Sequence, residues 1–244
     1  MEWQMLFNSE KCHILHLGGN NNKYEYTMGG TVLETVEYEK DVGVIIHQSL
    51  KPSMQCARAA ARANAILGQL SRAVSYRDKV TFIKLFKVYV RPHLEYAVVS
   101  WSPWTVEDKE VLEKVQRRAV GMVSNLRGRT YEARLAELGM TTLSDRRVRG
   151  DMIATYKIMS GKDKVEPGVF FDLVAEGAGP RTRAVTGVQN IRVVGSRLDL
   201  RRYSFSQRVV NMWNSLPDTL KGVGTVLGFK VGYDEWMSGG RLGA

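Results

Sequence analysis

The sequence predicts an α+β fold that is mostly α: a small antiparallel β-sheet at the N-terminus, a helical bundle after it, and a basic C-terminal helical extension. Three observations carry this prediction. The hydrophobic period turns helical at Ser53, where an Ala-rich run to Ala73 begins. Gly29-Gly30 separates two short extended segments, which is a hairpin signal. Arginines crowd the later chain, eight between Arg117 and Arg149 and six against one acid, Asp199, between Arg181 and Arg202.

The elements follow in order. Cys12–Leu17 reads as a short strand, and Tyr24–Met28 and Thr31–Val36 flank the Gly-Gly turn. Val42–Ile46 is a β-branched run that suits a buried strand. A sheet this small needs a neighbour, so residues 1–50 are expected to be the less stable portion. Ser53 is the expected cap of the first helix, with Ala57, Asn64, Leu67, Leu70 and Val74 on one face. Asp78 caps the next, whose Phe82, Ile83, Phe86, Tyr89 and Val90 make it central, and Pro92 ends or kinks it. Thr105 caps a third helix with a stripe of Leu112, Val115, Ala119 and Met122, and Glu113 is placed to pair with Arg117. A short helix from Tyr131 stops at Gly139, and another opens at Ser144 with Val148, Met152, Tyr156 and Met159 on one face. Residues 161–187 read as a loop, Ile191–Val194 as extended, and Ser206–Ser215 as a last helix stopped by Pro217. The glycine-rich tail is expected to lack order at its end. The implied segments are 1–50 (β), 51–160 (helical domain), 161–205 (basic, loop-rich linker) and 206–244 (helix and Gly-rich tail).

The bulk numbers narrow the function classes. The chain has 244 residues and a net charge of +10, which favours a polyanionic partner and salt-sensitive binding. The two cysteines, Cys12 and Cys56, form no CxxC or Cys/His cluster, so neither a zinc knuckle nor a disulfide framework is supported. A reduced intracellular setting, nucleus or cytoplasm, is expected, with no membrane-spanning run and no signal peptide. The adjacent acid pairs Glu107-Asp108 and Asp234-Glu235 lie at a helix start and in the tail, so neither is placed to hold catalytic metal ions at a sheet edge. His13 and His16 point to opposite faces of a strand and cannot share a metal.

Four segments carry a resemblance: Asn8–Gly19 (NSEKCHILHLGG), Tyr89–Ala119 (YVRPHLEYAVVSWSPWTVEDKEVLEKVQRRA), Arg134–Ile158 (RLAELGMTTLSDRRVRGDMIATYKI) and Met212–Pro217 (MWNSLP). Their order and spacing resemble the C-terminal part of a jockey-like, non-LTR (LINE) retrotransposon reverse transcriptase: the end of the palm, the thumb and a C-terminal extension. The resemblance implies RNA-directed DNA polymerisation with Mg²⁺ in the parent enzyme. It places the family's metal-binding aspartates before a segment like Trp3–Leu17, so the catalytic aspartates and the rest of the polymerase are missing and this chain alone is expected to be inactive. No cofactor is expected in the chain itself. Lys11 in NSEKC is implied to approach the incoming nucleotide's phosphates, and Gly43 in Asp41-Val42-Gly43-Val44 to sit in a primer grip. The helices after Ser53 resemble the thumb, with an RNA template and an RNA–DNA duplex as implied partners.

Phosphate contacts from helix faces are then expected from Arg58, Arg62, Arg72, Arg91, Arg117 and Arg118, with Tyr96, Trp101 and Trp104 as candidates for base stacking. Trp213 reads as core. Two other functions fit the same residues: a non-enzymatic RNA- or DNA-binding helical module, and a helical protein-interaction scaffold whose arginines serve solubility.

Overall fold

The computed structural model describes residues 8–174 and 190–239. The fold is α+β and mostly α, with all named strands before residue 50 and the α-helices after it. The chain forms two compact units: one holds the chain up to Ala97 together with Pro103–Gly128, the other Val98–Ser102 and the chain from Arg129 onward. The boundaries expected near residues 50 and 160 do not coincide with these units.

In the first unit the β portion is three two-stranded pairs rather than one four-stranded sheet. β1 (His13–Leu15) runs parallel to β4 (Glu34–Val36). β2 (Thr27–Met28) and β3 (Thr31–Val32) flank Gly29 and Gly30, both at positive φ as the two-residue hairpin requires. β5 (Tyr38–Asp41) and β6 (Val44–His47) form a second antiparallel hairpin. Val42 and Gly43, expected inside a strand, are its turn. β5 is not legible in the sequence because Glu39, Lys40 and Asp41 give it no apolar signature.

α1 (Ser53–Ala73) begins at Pro52, not at a Ser53 cap; the Ser53 hydroxyl donates instead to Asp108 at 2.9 Å. Its buried face is Gln55, Cys56, Ala59, Ala60, Ala63 and Leu67, and Ala57 is exposed. Small residues there let other helices approach closely. α2 (Lys79–Leu85) is capped as expected by Asp78, whose carboxylate accepts from the Val80 and Thr81 N–H groups. Phe86–Val90 then winds as a π turn closed by the Arg91 N–H on the Phe86 carbonyl, and α3 (Arg91–Glu95) follows. Pro92 explains the wide turn: it has no N–H to donate, and its ring disfavours the tighter register four residues back. Phe82, Ile83, Phe86, Val90 and Leu94 are buried, whereas Tyr89 is exposed.

α4 (Val98–Trp101) belongs to the second unit, and the chain returns to the first as α5 (Val106–Gly121). Thr105 caps α5 by accepting from the Asp108 N–H, and Leu112, Val115 and Ala119 are buried. Arg117 pairs with Glu110, and the buried Glu113 accepts from the Gln116 side chain at 3.3 Å. α1 packs against α5 and α3. Each fully buried Leu, Ile or Phe of this core contributes about 1.5–3 kcal/mol relative to exposure.

The second unit continues with α6 (Tyr131–Glu137) and α7 (Leu143–Met159); Thr142, not Ser144, caps α7. Its buried face includes Met152 and Tyr156 but also Arg147 and Asp151, with Val148 only partly covered. Leu173 and Ile191 form an antiparallel bridge, and Asn214 completes it: its side-chain oxygen accepts from the Ile191 N–H at 2.9 Å and its NH₂ donates to the Ile191 carbonyl at 2.7 Å. α8 (Asp199–Arg202) precedes the expected last helix, which is broken at Val209 into α9 (Phe205–Arg208) and α10 (Val210–Ser215). α11 (Asp218–Lys221) follows. The Gly-rich tail forms α12 (Val226–Gly239), whose Phe229 stacks on Tyr156 with ring centroids 4.3 Å apart and packs near Trp213. The remaining tail, Gly240–Ala244, together with residues 1–7 and 175–189, which include Arg181 and Arg183, lies outside the described residues.

No described helix is long and apolar enough to cross a membrane.

Candidate nucleic-acid interface

The turn Val42-Gly43 has φ of +43° and +86°, the paired positive values of a type I′ hairpin. Glycine tolerates this freely; a β-branched residue such as Val42 does not, and its side chain stands out in solvent. The turn is held from behind by Tyr96, whose hydroxyl donates to the Val42 carbonyl at 2.9 Å. A β-carbon on Gly43 would lie 3.3 Å from Tyr96 Cε1, so the glycine lets the Tyr96 ring pack closely behind the turn. The hairpin is anchored a second time where the Ile45 N–H donates to Gln55 Oε1 at 2.9 Å.

Between this hairpin, α1 and the α3 segment lies an open recess of about 290 Å³. Lys40 enters from β5, Arg58 and Arg62 from α1, and His93 and Tyr96 from α3 and its C-terminal end, over a floor that includes Ala59. Arg58 and Arg62 are one helical turn apart and share a face. No aspartate or glutamate is among the lining residues. Burial, and then the positive charge of Arg62, hold the His93 imidazole below the usual histidine pKa. The site is thus a concave cluster of cations beside a strained, exposed turn, an arrangement suited to anionic oxygens.

The other expected contacts are dispersed. Gly43, Arg58 and Arg62 meet at the recess; Arg72, Arg91, Arg117 and Arg118 do not line it. Arg72 is exposed towards the far end of α1, and Arg91 is half-buried at the start of α3. Arg118 donates to Asn64 at 3.1 Å, and Arg117 is engaged by Glu110. Of the remaining arginines up to Arg149, Arg129 reaches Glu137, Arg147 is buried and Arg149 holds Asp234 in a two-pronged pair at 2.6 and 2.7 Å. That run is therefore divided between the two units, and Arg117, Arg129 and Arg149 are each engaged by a carboxylate.

Lys11 ends a single 3-10 turn, Ser9–Lys11, exposed and away from the recess. Tyr96 is half-exposed at the recess, whereas Trp101 is buried in the second unit, Trp104 is half-covered and Trp213 is fully buried. Nothing in the sequence singles out Lys40 or His93. Lys40 precedes the Asp-Val-Gly turn on an inconspicuous strand, and His93 follows the helix-perturbing Pro92; only the docking of the hairpin on α1 and α3 makes neighbours of them.

One aspartate of each adjacent acid pair is engaged within the chain. Asp108 is buried and turned to the Ser53 hydroxyl, and Asp234 is held by Arg149. Among the described residues no three His, Cys, Asp or Glu side chains converge. No family model matches the chain, and neither a curated protein nor a solved structure matches it.

Proposed function

We propose that this chain binds an RNA–DNA template–primer duplex by its phosphates, as the thumb-like part of an RNA-directed DNA polymerase of the non-LTR retrotransposon kind. The observation that carries the reading is the convergence of Lys40, Arg58, Arg62 and His93 around the Asp-Val-Gly turn. The recess joins two segments that the same resemblance singles out, the one similar to a primer grip and the helix similar to a thumb. Cations on a strand and a helix face contact backbone oxygens without reading bases, so binding would be tolerant of sequence. The described residues offer binding and positioning groups, and no polymerisation step is assigned to them.

The test is the salt dependence of affinity for a short RNA–DNA hybrid, measured by fluorescence anisotropy. Affinity should fall linearly on logarithmic axes as salt rises, and Arg58→Ala with Arg62→Ala should reduce the slope by about one for each phosphate that is no longer neutralised. Arg117→Ala should leave the slope nearly as it is, because Glu110 already engages that guanidinium. A slope unchanged in the Arg58/Arg62 double variant would refute the site.

A further inference from the structure

We propose that a backbone phosphate enters this recess and that His93 takes up a proton as it does so, which makes nucleic-acid binding tighten as pH falls. The inference rests on the reading of the recess as a phosphate contact and adds its regulation. The geometry leaves His93 surrounded by one sign of charge. From α1 it faces Arg58 and Arg62, and from the hairpin Lys40 beside the uncharged Gly43. On its own helix the lining neighbour is Tyr96, whose hydroxyl is committed to the Val42 carbonyl; Arg91 and Glu95 flank it in sequence but do not line the recess.

In the free protein a protonated imidazole loses twice: it is partly desolvated, and Arg62 repels it. Hence the free protein disfavours the charged form of His93. A phosphate among these groups reverses the second effect and adds a hydrogen-bond acceptor for the ring, so the imidazolium is favoured. The His93 pKa is then low in the free protein and higher in the complex. The complex binds more protons than its parts between those two values, so affinity rises as pH falls through that interval. Each unit of separation corresponds to a tenfold change in affinity. Arg58, Arg62 and Lys40 contact the phosphate without His93, so the recess keeps a weaker grip above the interval.

Anisotropy titrations of the full chain with an RNA–DNA hybrid, from pH 5.5 to 8.5 at constant ionic strength, test this. Wild type should tighten several-fold or more towards low pH, and His93→Gln should flatten the dependence. His93→Lys, which carries a fixed charge, should be flat and should bind at pH 8.5 more tightly than wild type. The His93 Cε1–H resonance should titrate at a higher pH with saturating hybrid than without it, and inorganic phosphate alone should move it less if the phosphate must arrive on a nucleic acid. An equal shift with inorganic phosphate would assign the recess to a free phosphate and overturn the backbone source. Binding that is pH-independent in wild type, or equally pH-dependent in His93→Gln, would overturn the proton linkage. Arg58→Ala with Arg62→Ala binding as wild type at pH 8.5 would instead overturn the recess as the contact, and no hybrid binding at any pH would overturn both.

Discussion

Asp151 shows how much depends on single side chains. Its carboxylate is buried on α7 and receives two hydrogen bonds from Arg208, each 2.8 Å long. Arg208 also donates to the carbonyls of Val99 and Tyr203 and lies over the Phe205 ring. Burial pushes the Asp151 carboxyl pKa up, and Arg208 works against that. Removing either partner leaves an uncompensated buried charge, so Asp151→Ala should cost the second unit about 3–5 kcal/mol, read from its urea or thermal midpoint. A destabilisation below about 1 kcal/mol would mean water already reaches the pair. In the sequence Asp151 is only one more charge on a basic helix, and its partner lies 57 residues away. The local caps are legible by contrast: Asp78 and Thr105 each stand just before a helix whose N–H groups they accept from, and that relation is written within three residues. Ser53 shows the limit of such reading, because its hydroxyl turns to Asp108 on another helix.

The hairpin β5–β6 decides how the N-terminal portion should be regarded. Sequence reasoning makes residues 1–50 a weak sheet in need of a neighbour, and for this hairpin the neighbour is present. β6 packs on α1, Ile45 is tied to Gln55, and the turn is tied to Tyr96. The hairpin β2–β3 has few such supports: Val32, Tyr24 and Tyr26 are exposed, and Leu33 is its buried anchor. Amide exchange should therefore divide the segment. Ile45 and Ile46 should be protected to a degree comparable with Phe82–Phe86, while Thr27–Val32 exchanges faster. Equal, fast exchange in both hairpins would make the docked hairpin, and the recess it builds, a minor conformation. Helix positions are readable from the Ala-rich and apolar runs, but a strand made of Tyr, Glu, Lys and Asp is not. Its existence depends on a partner strand and on α1, neither of which leaves a mark in its own composition.

At the scale of the whole molecule, the chain builds two units and leaves the first more than once. It lends Val98–Ser102 to the second unit before returning with α5. Val98 and Trp101 are buried there, and α4 packs on α7. Trp101→Ala should accordingly destabilise the second unit by about 3–5 kcal/mol, visible as a lower unfolding midpoint for Trp213 burial, while the first unit keeps its own midpoint. A shift confined to the first unit would contradict the division. The aromatic stretch around Trp101 stands out in the sequence as one continuous signal, yet its residues serve different units, which no local pattern records. The same separation governs charge: among the described residues the first unit gathers Lys40, Arg58 and Arg62 at a concave recess, while the second holds Arg149 against Asp234 and Arg208 against Asp151. The central claim is that nucleic acid meets the protein at the hairpin turn and the recess behind it. Photo-crosslinking of an RNA–DNA hybrid to the full chain, with peptide mapping by mass spectrometry, tests this directly. The expected crosslinks fall in Lys40–Val44 and Arg91–Tyr96; crosslinks confined to residues 190–239, with none in those two peptides, would contradict it.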